Sequence, residues 1–162
     1  MADKKAVPFS IDEALLRAHA TNNRINAYLI ENLSDDAWRA TPTGGKGRDI
    51  ASIVSHIHNV RLMWLKAIGA KDLPDKLDPH SATRKDALRA LEESSRVLDS
   101  QLRAALKSDG RIKGFKPDVA GFFAYLIAHD SHHRGQITML ARQTGFPVSQ
   151  ATTFGLWEWG AR

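Results

Sequence analysis

Two histidines four positions apart, His129 and His133, have the spacing best suited to holding a metal ion. Each residue of an α-helix advances by about 100°, so residues four apart stack on one face. Apolar residues share that face, where a histidine is costly unless it has a partner. An i, i+4 pair of imidazoles can grip one divalent ion, but two buried histidines with ordinary hydrogen bonds would show the same spacing. The pair alone leaves a metal site and a structural role equally open.

A third histidine would change that balance, because catalytic metal sites typically have three protein ligands. His56 and His58 share a predicted helix and lie about 200° apart, which predicts that only one of them faces the interior. His56 borders the apolar arc of its helix and is modestly favoured. His19, on the inward side of the first predicted helix, is the reserve ligand. His132 lies at the edge of its arc, and His80 falls in a predicted loop where we expect solvent.

Four polar residues near the histidines are candidates for supporting roles. Gln136 lies one turn beyond His133 and could accept a hydrogen bond from a ligating imidazole. Arg134 could bind a substrate carboxylate, although a surface salt bridge is the commoner role of a helical arginine. Asn59 and Arg61 could line a pocket or could simply be solvated.

The elements that must position these residues are four stretches of helical periodicity. Ser10 with Glu13 and Thr83 with Asp86 fit helix-start signals, and Ser34 fits the cap of a short extra turn. No alternating pattern indicates a strand. Four helices of similar length predict an all-α antiparallel four-helix bundle forming one domain over 1–162. The predicted helices span approximately residues 10–33, 48–68, 84–107 and 118–145.

Composition excludes several kinds of chemistry. The 162 residues contain no cysteine, so thiolate ligands and a cysteine nucleophile are ruled out. The net charge is +5, and the basic residues are spread along the chain among acidic ones. This dispersed charge argues against a nucleic-acid partner. The absence of an apolar run long enough for a signal peptide or a membrane span predicts a soluble cytoplasmic protein without a membrane partner.

Two segments resemble signatures of the DinB/YfiT-like metalloprotein superfamily. The segment His129–Ile137 reads HDSHHRGQI, like the family's fourth-helix pattern of H-x-x-x-H with Arg-Gly-Gln directly after the second histidine. The segment Ile53–Leu65 looks like the second-helix pattern, in which a histidine precedes a tryptophan by eight positions, and this selects His56. The resemblance covers nearly the whole chain. It implies a four-helix bundle, often dimeric, in which His56, His129 and His133 hold zinc, nickel or a similar ion.

The resemblance leaves the reaction open, because family members with assigned chemistry include thiol-dependent transferases and an isomerase. Three neutral imidazoles would leave a divalent ion able to lower the pKa of a bound thiol or water. We therefore expect either transfer of an exogenous low-molecular-weight thiol to a small electrophile or metal-dependent hydrolysis of an amide or ester. The absence of a glutamate between His129 and His133 weakens the second, and Asp130 is expected about 100° from His129. A non-catalytic metal-binding or scaffold bundle is the alternative to both.

The C-terminal tail is unusually aromatic. Phe154, Trp157 and Trp159 lie within six positions of each other. This much apolar surface seldom dangles free, so we expect the tail to pack on the bundle or on a second subunit. A homodimer is the expected assembly.

Overall fold

Six α-helices and one β-hairpin make up the part of the chain that the computed structural model describes, residues 8–42 and 44–162. The long helices α4 and α5 each pack against both α1 and α3, which gives a four-helix bundle. The all-α prediction is confirmed. Among the described residues, no helix has both the length and the hydropathy that a membrane span requires. The elements are α1 (Ile11–Glu31), α2 (Asp35–Arg39), α3 (Ile50–Ile68), α4 (Arg84–Leu106), β1 (Arg111–Ile112), β2 (Phe115–Asp118), α5 (Val119–Gln143) and α6 (Gln150–Gly155).

Several helices begin at side-chain caps that the sequence had indicated. The hydroxyl of Ser10 accepts from the backbone N–H of Glu13, and Thr83 forms a reciprocal capping box with Asp86. Helix α3 ends at Gly69, whose φ of 90° is the left-handed conformation in which a side chain would be strained. The long helices begin and end within two residues of their predicted bounds.

The hairpin formed by β1 and β2 was not predicted from the sequence. Its strands are antiparallel, with Arg111 opposite Asp118 and Ile112 opposite Phe115. Ile112 is buried and anchors the hairpin in the core. Strands of two and four residues are too short to show an alternating pattern, so sequence periodicity could not reveal them.

A buried polar layer crosses the bundle between two apolar clusters. On α5 the residues of one cluster run from Val119 to Leu126 and those of the other from Ile137 to Ala141, so the polar residues of that helix fall between them. The other long helices show the same order of apolar, polar and apolar segments. The principal members of the layer are Asn22, Asn23, Asn26, His58, Arg61, Ser94, Asp130 and His133.

His19 lies next to this layer and is only 1% exposed. Its Nδ1 has no hydrogen-bond partner among the described residues, and its ring meets Phe123 edge-on at 6.2 Å between centroids. Burial, reinforced by the positive charge of Arg61, lowers the pKa of His19 from 6.5 to about 4. The reserve ligand of the sequence analysis is thus a neutral histidine in the core.

Replacing His19 with leucine should make the stability of the protein less dependent on pH. Between pH 6.5 and about 4 the unfolded chain binds a proton at His19 that the folded protein does not, so stability falls as the pH falls through this window. The full shift corresponds to roughly 3 kcal/mol. Urea unfolding at pH 7.5 and 4.5 should show a smaller loss for His19→Leu than for the wild type. An unchanged loss would mean that His19 is protonated in the folded state.

Candidate metal centre

The structure brings three histidines from two helices together. His56 comes from α3, and His129 and His133 come from successive turns of α5. Each offers one ring nitrogen, and these three atoms lie within 4.8 Å of one another. The ring centroid of His56 is 5.5 Å from that of His129 and 4.9 Å from that of His133. The Nε2 atoms of His129 and His133 are 3.2 Å apart.

This arrangement fits a small divalent ion. Zinc–nitrogen bonds of about 2.1 Å in tetrahedral geometry would separate ligand nitrogens by about 3.4 Å. The His129–His133 pair already has nearly that separation, and His56 needs only a small side-chain adjustment to reach it. Three neutral ligands leave the remaining coordination positions to water or a substrate atom.

The opposite nitrogens of the two α5 histidines face oxygen acceptors. His133 Nδ1 lies 2.8 Å from Oε1 of Gln136, and His129 Nδ1 lies 3.6 Å from Oδ1 of Asp130. An acceptor at Nδ1 favours the tautomer that carries its proton there, which leaves the Nε2 lone pair free for a metal. Gln136 is therefore placed where the sequence analysis expected it, although the residue is exposed.

Local electrostatics also favour neutral imidazoles. Burial, with smaller contributions from the charge of Arg48 and from the other two histidines, lowers the pKa of His56 to about 4. Burial likewise lowers the pKa of His133, against the opposing effect of its bond to Gln136. Neutral imidazoles retain the lone pair that a metal ligand needs.

Asp130 connects the candidate centre to the buried polar layer. Its Oδ2 accepts hydrogen bonds of 2.8 Å from Arg61, Asn22 and Asn26, while Oδ1 faces His129. Both partners of the Arg61–Asp130 ion pair are 2% exposed at their side chains. Burial raises the pKa of Asp130, but the charge of Arg61 and the hydrogen bonds outweigh it and hold this pKa well below its usual range. The carboxylate stays ionised and fixed in position.

Two different surroundings flank the histidines along α5. Towards its N-terminus, the ring of Tyr125 stacks on His129 at 5.9 Å between centroids. Tyr125 belongs to a cluster of edge-on aromatic rings with Trp64, Phe115 and Phe122. Towards the C-terminus, an open groove of about 450 Å³ runs along α5 from His132 and His133 to Gln143. Arg48 and Ile53 also line this groove. We call it the Arg48 groove.

One sequence expectation about α3 was wrong. His58 does not face away from the bundle: it is fully buried, whereas His56 is partly exposed. The Nδ1 of His58 lies 3.2 Å from the Ser94 hydroxyl, and its Nε2 lies 2.9 Å from the carbonyl oxygen of Asp75. The segment between α3 and α4 folds back over α3, so the helix has a covered face on more than one side.

The supporting residues lie in three different settings. Asn59 donates to the carbonyl of Leu77 and accepts from its N–H, so both of its polar groups hold the α3–α4 connection. Arg61 is buried against Asp130 and reaches His129 only through that carboxylate. Arg134 donates to the side-chain oxygens of Asn22 and Asn26 and to Ser131 rather than forming a surface ion pair. The remaining histidines, His80 and His132, are exposed.

The sequence analysis expected Asp130 to point away from His129 and did not name Tyr125 or Arg48 as neighbours of the candidate centre. A signal for the first existed: Asn22 and Asn26 occupy one inward face of α1, and buried amides require partners. For Arg48 and Tyr125 the sequence held no comparable signal, because their places depend on how the helices are rotated against each other.

The bundle and the three histidines define a helical protein with a candidate metal centre, and comparison with known proteins identifies its family. The sequence model of the DinB family matches residues 1–160, so the chain belongs to the DinB family. It is 26% identical over 123 residues to Protein DinB of Bacillus subtilis (strain 168), a match that covers 67% of this chain and 71% of that protein. No solved structure matches the chain. The family resemblance inferred from the sequence is confirmed.

Proposed function

We propose that this protein binds one divalent ion, zinc or nickel, through His56, His129 and His133 and uses it to activate an exogenous thiol for transfer to a small electrophile. The observation that carries the proposal is the convergence of three imidazole nitrogens within 4.8 Å, on residues from two helices. A divalent ion held by three neutral ligands keeps its charge and lowers the pKa of a thiol or water bound to it.

The residues of the chain would orient the reactants and exclude water. Gln136 lies at hydrogen-bonding distance from His133 Nδ1 and Asp130 faces His129 Nδ1, an arrangement that favours Nε2 directed to the centre. The ring of Tyr125 covers one side of His129. The Arg48 groove provides space beside His133 for a small molecule. In the transfer, a sulfur–carbon bond forms as the electrophile's leaving group departs with its electron pair, and the thiol proton passes to solvent.

The surroundings of Asp130 favour thiol transfer over hydrolysis. Metal-dependent hydrolases often use a carboxylate as general base beside the bound water. Asp130 is adjacent to the histidines, but three donors occupy its Oδ2 and its pKa is held low. A carboxylate in that state is a poor base. Among the described residues, the group able to hold a metal consists of three histidines and contains no carboxylate.

Thiol-dependent product formation is the expected result of an activity screen. Zinc-loaded and nickel-loaded protein should be incubated with a panel of small electrophiles, with and without each of several low-molecular-weight thiols. Product should form only when metal and thiol are both present, and it should fall to background in His133→Ala. Mass spectrometry of the thioether product provides the measurement, with His80→Ala as the matched control because that histidine is exposed and does not line the Arg48 groove.

Two other outcomes would contradict the proposal. Ester or amide cleavage that requires metal but no thiol would replace it with the hydrolase hypothesis. Stoichiometric metal without turnover of any electrophile would favour a non-catalytic metal-binding bundle.

We also propose that the chain forms a homodimer through its C-terminal aromatic residues. Phe154 is 62% exposed, Trp157 is 79% exposed and Trp159 is 37% exposed. All three residues come soon after the end of α5 in the sequence. Multi-angle light scattering at micromolar concentration should give the mass of two chains. Trp157→Ser should shift the protein towards the monomer, and a monomeric wild type would disprove the proposal.

A further inference from the structure

The Arg48 groove carries a positive charge and several hydrogen-bonding groups. Among the described residues that line it there is no carboxylate: the polar ones are Arg48, His132, His133, Gln136 and Gln143. Arg48 itself has no ion pair within residues 8–42 and 44–162, whereas Arg39, Arg84 and Arg103 each pair with at least one carboxylate. The groove therefore presents an uncompensated guanidinium beside hydrogen-bond donors.

Part of the lining of the groove is apolar. It consists of Ile53, Met139 and Leu140, of which Met139 is 61% exposed. A methionine side chain adapts its shape to an apolar partner at little cost. The groove thus combines one positive charge with apolar side chains and adjoins His133.

Arg48 lies beside the candidate centre. It lines the same groove as His133, one of the three histidines of that centre. An anion bound to Arg48 would therefore lie near the histidines as well. A carboxylate matches the planar guanidinium in shape and can accept two parallel hydrogen bonds from it.

We propose that the Arg48 groove binds a small carboxylate-bearing molecule, with its carboxylate on Arg48 and its apolar part on Ile53, Met139 and Leu140. This inference rests on the proposed function in so far as the bound molecule would be one of the two reactants. Arg48 would then be a specificity-determining residue that selects acids over their neutral analogues.

The test compares two probes of the same shape, hexanoate and hexanamide. Protein labelled with ¹⁵N should be titrated with each probe, in its metal-free form and after loading with zinc, and binding should be followed by amide shifts. We expect hexanoate to bind more tightly than hexanamide and to shift the amides of Gln136, Met139 and Gln143. Arg48→Gln should weaken hexanoate binding about tenfold or more and leave hexanamide unaffected, because a charge-assisted bond is lost. Arg17→Gln is the matched control, since Arg17 is an exposed arginine on α1 that does not line the groove.

The two forms of the protein separate this inference from the proposed function. Loss of the carboxylate preference in metal-free Arg48→Gln supports the groove even if no thiol product is ever found. The inference is overturned if Arg48→Gln keeps the full preference, if the shifts lie on another surface, or if hexanoate does not bind to the metal-free protein. Failure of thiol transfer alone would instead leave the groove as the binding site of a protein with another activity.

Discussion

Replacing His129 with alanine is expected to abolish stoichiometric metal binding. The three histidine rings form a triangle, in which the Nε2 of His129 is 3.2 Å from that of His133 and its ring centroid is 5.5 Å from that of His56. Loss of this ligand would leave two imidazoles, and affinity should fall by at least about 100-fold, more than supporting residues usually contribute. Elemental analysis of protein purified without a metal-affinity tag should give one ion per wild-type chain and none for His129→Ala.

Three further variants grade the result. His132→Ala should keep its metal, since that residue is exposed, meets His133 edge-on and does not belong to the group of three. His58→Ala should also keep its metal per folded chain, but it should unfold more easily because it removes two buried hydrogen bonds. Gln136→Leu should bind 10–100-fold more weakly, as is typical when the partner of a ligating imidazole is lost. Equal loss of metal in His58→Ala and His129→Ala would show that the α3 ligand is misassigned.

Replacing Arg61 with methionine is expected to destabilise the metal-free protein by about 3 to 5 kcal/mol. The substitution leaves the ionised Asp130 buried at 2% exposure without its charge partner. It also removes the donor to Asn23 and to the carbonyl of Leu91. Urea unfolding at pH 7 should show a lower midpoint with a similar slope.

The double variant Arg61→Met, Asp130→Asn tests the cause of that loss. Neutralising Asp130 removes the unpaired charge, so the double variant should be more stable than Arg61→Met alone. Arg89→Ala breaks an exposed pair with Asp86 and should change stability little. If the single and double variants unfolded at the same urea concentration, the buried charge would not be the source of the destabilisation.

The features that could be predicted from the sequence are those encoded locally. Helix boundaries follow from caps such as Ser10 and Thr83 and from the left-handed glycine at Gly69, each of which acts within one turn. The pairing of His129 with His133 follows from helix geometry alone. The choice of His56 over His58 depended on a small difference in angle together with the family resemblance.

The features that could not be predicted depend on the relative rotation of separate elements. The sequence analysis treated α3 as having one buried face, but the connection to α4 covers a second face and buries His58 through Asp75. Asp130 was expected to point away from His129, because adjacent residues of a helix are about 100° apart. Its Oδ1 nevertheless comes within 3.6 Å of His129 Nδ1. Neither result follows from the periodicity of one helix.

The buried polar layer has a consequence for the alignment of the helices along the bundle axis. Sliding α5 along α1 by one turn, about 5.4 Å, would keep apolar side chains in contact on both sides. It would also separate Asp130 from Asn22 and Asn26 and place its charge among hydrocarbon side chains. The buried polar layer thus makes bundles with shifted helices less stable. The native alignment is selected by polar pairing rather than by the amount of apolar surface removed from water. A chain that collapses with its helices shifted along the bundle axis must separate them again at this layer before the three histidines can come together.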